Sequence, residues 1–376
     1  MSKVELRELQ SVAEIIMGQS PESDSYNDKG EGIPFYQGNA DFGEIHPQTR
    51  LYCSKPTKIA RVDDILLSVR APIGAINIAH QTCCIGRGLA AIRVNENAST
   101  KFLYYGLKRK NNELNQKGTG STFKAINRQN LSEIKIPHPP LHIQNQIAHE
   151  LDTVSELQAL RNRKLKELDH YIQSVFYGMF GDPVQNEKGW GVKSFEQIGK
   201  LTSGGTPSRS NNSYFKGDIN WFSAGELNSR YLVESKEKIT SSALASSSAK
   251  LFEPYSMLIG MYDTAAFKLA ILTNPSSSNQ ACANIAVKRE LVNVEWLYDC
   301  CRFMKNHFLK NRRGVRQKNL NLGMIKEFEL PVPPLSLQNK FAEIVTQIEA
   351  QKALVKQSID ETQKLFDSLM SKYFDD

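Results

Sequence analysis

The segment IPHPPLHIQNQIAHEL, Ile136 to Leu151, returns 194 residues later as LPVPPLSLQNKFAEIV, Leu330 to Val345. In both, prolines hold the chain extended, because a residue that precedes proline is pushed out of the α region. About 37 residues without proline or glycine follow the first box, up to Gly178, so a long helix starts only beyond it. If wholly helical, that run would span roughly 55 Å. Ser336 is the expected N-cap of the second helix, and Gly181-Asp182-Pro183 the turn that ends the first.

The repeat is wider than the box. From Gly120/Gly314 to Asp182/Asp376 the copies align without a gap, with 17 identities in 63 positions. These include Lys124/Lys318, Asn127/Asn321, the three prolines, Gln144/Gln338 and Phe180/Phe374. Nearer the start of each half the offset is 186: VAEIIMGQSP from Val12 matches IGKLTSGGTP from Ile198. A period this long excludes a solenoid, whose repeats run about 20–50 residues. Two large domains of one fold remain, as expected for 376 residues with 40% apolar content.

Within each copy, DDILLSVRAPIGAINIA and YSMLIGMYDTAAFKLAIL read as paired strands, whereas TKFLYYGLKRK and VEWLYDCCRFMK read as short amphipathic helices. Mixed order without strict alternation predicts an α+β fold. The expected division is 1–140 and 183–335 for the two globular domains, with 141–182 and 336–376 as long helices. A heptad seam runs through both helices: Leu151, Val154, Gln158, Leu165, Leu168 and Ile172 in the first, Val345, Ile348, Lys352, Ile359, Phe366 and Leu369 in the second. Eight of ten seam positions are apolar in each copy, which predicts a two-stranded coiled coil within the internal repeat. The alternative is two amphipathic helices, each lying on its own domain. Gln158 and Lys352 put a polar residue at the same seam position, a device that fixes register at some loss of stability.

The net charge of +7 is carried by the globular parts. Residues 1–140 hold 18 Lys/Arg against 14 Asp/Glu and residues 183–335 hold 20 against 13, while each helical segment is at −2. RFMKNHFLKNRRGVRQK, Arg302 to Lys318, has seven basic residues and no acidic one. Arg302, Lys310, Arg312, Arg313, Arg316 and Lys318 are its candidate phosphate ligands. Lys101, Lys108, Arg109, Lys110, Lys117 and Lys124 occupy the matching region of the first copy. Duplicated basic surfaces point to nucleic acid, although a solvated basic helix face would look the same. For base reading, Arg70, Arg87, Asn279 and Gln280 sit in or beside loop-like segments, where Arg suits guanine and Asn or Gln adenine; Arg70 and Arg87 could equally pair with phosphates or local carboxylates.

Catalytic signals are weak. There is no phosphate-binding G-x-x-x-x-G-K-[ST] loop, no metal-ligand histidine spacing and no glycine-rich loop for S-adenosylmethionine. Asp218 with Glu234-x-Lys236 has a formal nuclease-like pattern, absent from the first copy. Six cysteines include two vicinal pairs but no C-x-x-C, which fits buried thiols in a reducing cytoplasm. The start, MSKVELRELQ, is polar, and no apolar run approaches a membrane span.

The two boxes, each opening a long helix after a variable globular part, together with DILLSVRAPIG and SGGTPSRSNNSYFKGDINWFSAGEL, resemble the specificity subunits of type I restriction–modification enzymes. The resemblance covers essentially the whole chain. It departs where Ile143 and Leu337 stand in place of a glutamate common in such boxes. It implies two target recognition domains that read the halves of a split, asymmetric site in double-stranded DNA, related by a pseudo-two-fold repeat and separated by the two long helices running antiparallel. It also implies a non-catalytic, cytoplasmic chain with no cofactor of its own, bound to two methyltransferase subunits that use S-adenosylmethionine, with two motor and restriction subunits that use ATP and Mg²⁺. The rival readings are a self-sufficient Mg²⁺-dependent endonuclease built on Asp218, Glu234 and Lys236, and a coiled-coil scaffold that binds protein.

Overall fold

The computed structural model of the chain describes residues 5–119, 124–310 and 319–375. Five helices carry the argument: α1 (Thr100–Arg109), α2 (Asn111–Lys117), α3 (Leu141–Phe180), α4 (Val294–Leu309) and α5 (Leu335–Phe374). The chain forms two compact units, Met1–Asn162 with Gln357–Asp376, and Arg163–Lys356. Each unit therefore combines the strands of one copy, the first half of its own long helix and the last half of the other copy's helix.

In the first unit a four-stranded sheet has the order Ala13–Met17, Leu89–Val94, Ile65–Ser68, Ile76–Ile78. A five-stranded sheet holds Ile33–Tyr36 and Cys83–Ile85 as a parallel pair. The core joins Ile65, Leu67, Ala90 and Ile92 of the sheet to Phe102, Leu103 and Leu107 of α1, to Ile147, Leu151 and Val154 of α3, and to Phe366, Met370 and Phe374 of α5. Gly106 permits the last contact: a Cβ there would lie 3.2 Å from the Phe374 ring, which packs 4.9 Å from Phe102.

The second unit repeats the plan. Its five-stranded sheet runs Gly199–Ser203, Cys282–Val287, Met257–Gly260, Leu269–Leu272, Tyr231–Leu232. Trp296, Leu297, Cys300 and Cys301 of α4 pack with Ile172, Phe176 and Phe180 of α3 and with Phe341, Val345 and Ile348 of α5. All six cysteines are buried free thiols. Among the described residues no helix is long and apolar enough to cross a membrane.

The paired boxes have a common physical basis. The strand before each, Lys135–Pro137 or Glu329–Pro331, pairs antiparallel with the first strand of its copy, Leu6–Glu8 or Val192–Ser194. The box glutamine is then fully buried. Gln144 Oε1 accepts from the Ser99 N–H at 2.9 Å, and its Nε2 donates to the Pro139 carbonyl at 2.8 Å and to that of Asn97 at 3.3 Å. Gln338 accepts from the Asn293 N–H at 2.8 Å and donates to the carbonyls of Pro333 at 2.8 Å and Leu291 at 3.1 Å. One amide thus joins the entry of the long helix to the entry of α1 or α4. Asn127 and Asn321, also identical in the repeat, cap the short helices Arg128–Ser132 and Leu322–Lys326.

Ser336 is not the N-cap. Helix α5 starts at Leu335, and the first helical acceptor is the Pro334 carbonyl, which takes the N–H groups of Leu337 and Gln338 at 3.0 and 3.2 Å. Pro140 does the same for Ile143 and Gln144. Gly181 ends α3 with φ +75°, its N–H bonded to the Tyr177 carbonyl at 2.9 Å.

Within each unit the two helical segments run antiparallel. In the first, Gln158 donates to Gln363 at 3.0 Å, Arg161 to the Ser358 carbonyl at 2.6 Å, and Tyr373 to Glu150 at 2.7 Å. In the second, Lys352 reaches Asp169 at 2.8 Å and Glu349 at 2.7 Å. Both polar seam residues thus bond across the helix pair, and the seam positions lie on the buried or half-buried face. At their ends the helices pack into the domain cores, each first half on its own copy's domain and each last half on the other copy's.

Replacing Gln338 by Leu should lower unfolding stability by about 3 kcal/mol, because it leaves three buried backbone groups unpaired at about 1–3 kcal/mol each before relaxation. Urea denaturation measures this. A midpoint equal to the wild type's would show that the amide is not a structural tie.

Candidate nucleic-acid interface

At one end of each central sheet the loops are held by the same backbone hydrogen bonds. In the first unit, Gly18 N–H donates to Leu89 at 2.9 Å, Gln19 to Ile85 at 3.0 Å, Gly86 to Tyr36 at 2.8 Å, Leu89 to Gly86 at 3.0 Å and Val69 to Gly88 at 2.9 Å. In the second, Gly204 donates to Cys282 at 2.9 Å, Gly205 to Ser278 at 2.9 Å, Asn279 to Phe222 at 3.0 Å, Cys282 to Asn279 at 3.1 Å and Met261 to Ala281 at 2.9 Å. Glycine is required at the contact between loop and turn. A Cβ on Gly18 would lie 2.2 Å from the Gly86 carbonyl oxygen, and one on Gly204 2.2 Å from that of Asn279. Two further bonds close each rim: Ile126 to Val69 at 2.9 Å with Ala71 to Lys124 at 3.1 Å, and Leu320 to Met261 at 2.8 Å with Asp263 to the Asn319 side chain at 3.0 Å.

This frame places the base-reading candidates. Arg87 and Gln280 are both second residues of a four-residue turn closed by the Leu89–Gly86 or Cys282–Asn279 bond. Both are exposed. The Arg87 N–H lies 3.4 Å from Ser20 Oγ, and the Thr206 hydroxyl donates to Gln280 Oε1. Asn279 is half-buried and structural, its Oδ1 accepting from the Ala281 N–H at 3.1 Å. Arg70 is exposed on the rim beside Lys124, and its place in the second unit is held by Tyr262, also exposed. Tyr262, Ser20 and Thr206 were not among the sequence candidates; only the matched hydrogen bonds reveal them.

The helical cations behave differently. The ammonium of Lys108 sits 5.6 Å from the Phe366 ring and 5.9 Å from that of Tyr104, and loss of hydration lowers its pKa even though the residue as a whole is exposed. Arg109 grips Asp375, just past the end of α5, with both prongs, its Nε at 2.6 Å. The Arg302 guanidinium, at the position equivalent to Lys108, lies 3.0 Å from the buried Asp299 and 3.8 Å from Asp169. Lys101 pairs with Asp152. These four face the long helices, not the rim. Lys110 and Lys117 share Glu113 at 3.7 and 3.9 Å. Asn111 and Asn115 on the same helix, α2, bond the carbonyls of Gly74 and Ile73 at 2.9 Å, so α2 buttresses the rim. Lys310 is exposed at the end of α4. Arg312, Arg313, Arg316 and Lys318 lie outside the described residues.

The nuclease-like pattern does not converge. The ladder pairs Asn220 with Lys238 and Trp221 with Glu237, so Asp218 and Lys236 diverge toward opposite ends of it. Glu234 is bound instead to Lys238 at 2.9 Å.

A family model for the type I restriction modification DNA specificity domain matches residues 1–170 and again 187–364. The chain belongs to this family, with two copies of its domain. Over 156 residues it is 46% identical to the MjaX type I restriction enzyme specificity subunit of Methanocaldococcus jannaschii, covering 41% of this chain and 37% of that protein. Over 396 residues it is 22% identical to the MjaIX specificity subunit of the same organism, covering 98% and 92%. The type I restriction–modification S subunit of M. genitalium shares the fold, with a TM-score of 0.66 at 15% identity over 100% of this chain and 98% of that one.

The Arg109–Asp375 pair makes a direct prediction. With the guanidinium beside it and a Ser371 hydrogen bond, the Asp375 carboxyl is held down to about 2. Its small, solvent-screened contribution is present above the usual aspartate pKa and is lost as pH falls through about 2. Carboxyl NMR should show that low transition, and Arg109→Ala should move it up toward about 4; no movement would dissolve the pair.

Proposed function

We propose that this chain is the non-catalytic DNA-reading subunit of a type I restriction–modification assembly working in the cytoplasm. Each unit would present its loop rim to one half of an asymmetric double-stranded site. The observation that carries the reading is the pair of rims: the same backbone frame, fixed by matched hydrogen bonds, bearing different exposed side chains. Different tips on one frame suit two domains that read different half-sites. Lys124 supports the same reading. It is one of the 17 identities retained between the copies and it is exposed, which suits a phosphate contact beside Arg70.

Methylation and cleavage would belong to partner subunits: two methyltransferases using S-adenosylmethionine, and motor and restriction subunits using ATP and Mg²⁺. Their docking surface would include the acidic, duplicated long helices. The helix pair would also set the distance between half-sites, converting two weak affinities into one that depends on spacing.

The test compares variants on the two faces. Affinity of the assembled protein for its duplex should fall steeply with salt. Lys124→Ala and Arg70→Ala should each weaken binding severalfold, and Lys124→Ala should reduce the salt slope by about one. Arg109→Ala, whose charge is already paired with Asp375, should leave affinity within about twofold. Binding indifferent to salt would favour the protein scaffold. Cleavage of DNA by the purified chain with Mg²⁺, abolished by Asp218→Ala, would restore the endonuclease.

A further inference from the structure

We infer that Arg87 and Gln280 are equivalent base-reading residues, which address the same position within their respective half-sites and set it as guanine in one and adenine in the other. The inference rests on the DNA-reading function proposed above and goes beyond it by assigning residues and bases.

The equivalence is geometric. Both residues follow a turn-opening position, Gly86 or Asn279, whose N–H is tied to the strand residue Tyr36 or Phe222. Both precede a position, Gly88 or Ala281, whose carbonyl takes the Val69 or Met261 N–H. Each lies beside the hydroxyl residue of the loop pressed against its turn, Ser20 or Thr206. The backbone under each tip is thus bonded on both sides and held from below by a glycine contact. A side chain on such a base is aimed by the fold, which base discrimination needs.

The chemistry of the two residues narrows the role. Arg is charged and Gln is not, so attraction to phosphate is not their common property. What they share is a planar fork able to form two hydrogen bonds at once. Arg donates both to guanine O6 and N7; Gln donates to adenine N7 and accepts from its N6 amino group. The Thr206 hydroxyl, donating to Gln280 Oε1, orients the amide and leaves the second lone pair of that oxygen and both amide N–H bonds for a base. Among the described residues the Arg87 guanidinium has no ion-pair partner, whereas Arg109, Arg230 and Arg302 all do.

The experiment uses the full chain assembled with its methyltransferase subunits in a host lacking other adenine methylation, with the methylated sites mapped across the genome. Arg87→Gln should shift the guanine-to-adenine ratio at one position of one half-site by at least about tenfold and leave the other half-site unchanged. Gln280→Arg should produce the mirror change in the other half-site, and the two positions should have the same rank counted from the spacer. Arg87→Ala and Gln280→Ala should relax those positions to any base. An unchanged motif at lower occupancy in all four variants would overturn the inference and leave the DNA-reading function standing. Failure of the wild-type chain to direct methylation to any bipartite motif would overturn both.

Discussion

The fold depends on one buried amide in each copy. A glutamine with no exposed surface bonds the carbonyl just before its own helix, the N–H at the entry of a domain helix, and a carbonyl in the loop leading to that helix. Breaking such a bond strands buried backbone groups, so the direction of the long helix relative to its domain is fixed by chemistry more selective than apolar contact. The prolines serve the same joint. They end the strand, remove donors that would need partners, and place the carbonyl that the amide caps.

A second constraint follows from which helix ends fill which core. Phe374, near the end of the chain, packs with Phe102; Phe180, at the end of the first helix, packs near Trp296 and Phe341. Each unit is completed by a segment from the other copy's helix. That explains why the ends of the helices keep Phe180/Phe374 while the middles have diverged into unlike polar contacts, Gln158 with Gln363 and Lys352 with Asp169. The second unit adds a buried cluster in which Arg230 lies between Asp299, Glu295 and Glu349, with burial opposing and the carboxylates favouring its charge.

Much of this was legible in the sequence because repetition and periodicity are local signals. The box, the α+β order, the two long helices and the terminating Gly181 all follow from proline, glycine and apolar spacing. The rim was not legible as a unit. The copies match at offsets of 186 and 194, but the strands and turns between them match at 192 and 193, because loops of different length intervene. Arg87 and Gln280 could therefore be picked singly but not paired, and Tyr262 shares no chemistry with Arg70. The surroundings of the basic residues of α1 and α4 were hidden for another reason. Amphipathic spacing identifies a polar face but not its neighbour, and here Lys108 meets the Phe366 ring, Arg109 the Asp375 carboxylate just past α5, and Arg302 the carboxylates of Asp299 and Asp169. Ser336 failed as a cap because the helix already starts at Leu335, with the Pro334 carbonyl as its first acceptor.

The most direct measurement lengthens the helices. Inserting one heptad after Asn162 and one after Lys356 preserves both seams and both glutamine joints while adding about 10.5 Å, close to three base pairs of duplex. If the helix pair sets the distance between two rigidly joined reading heads, mapped methylation should keep both half-sites and widen the unspecific gap by about three base pairs. The same half-sites at the original gap would contradict the account.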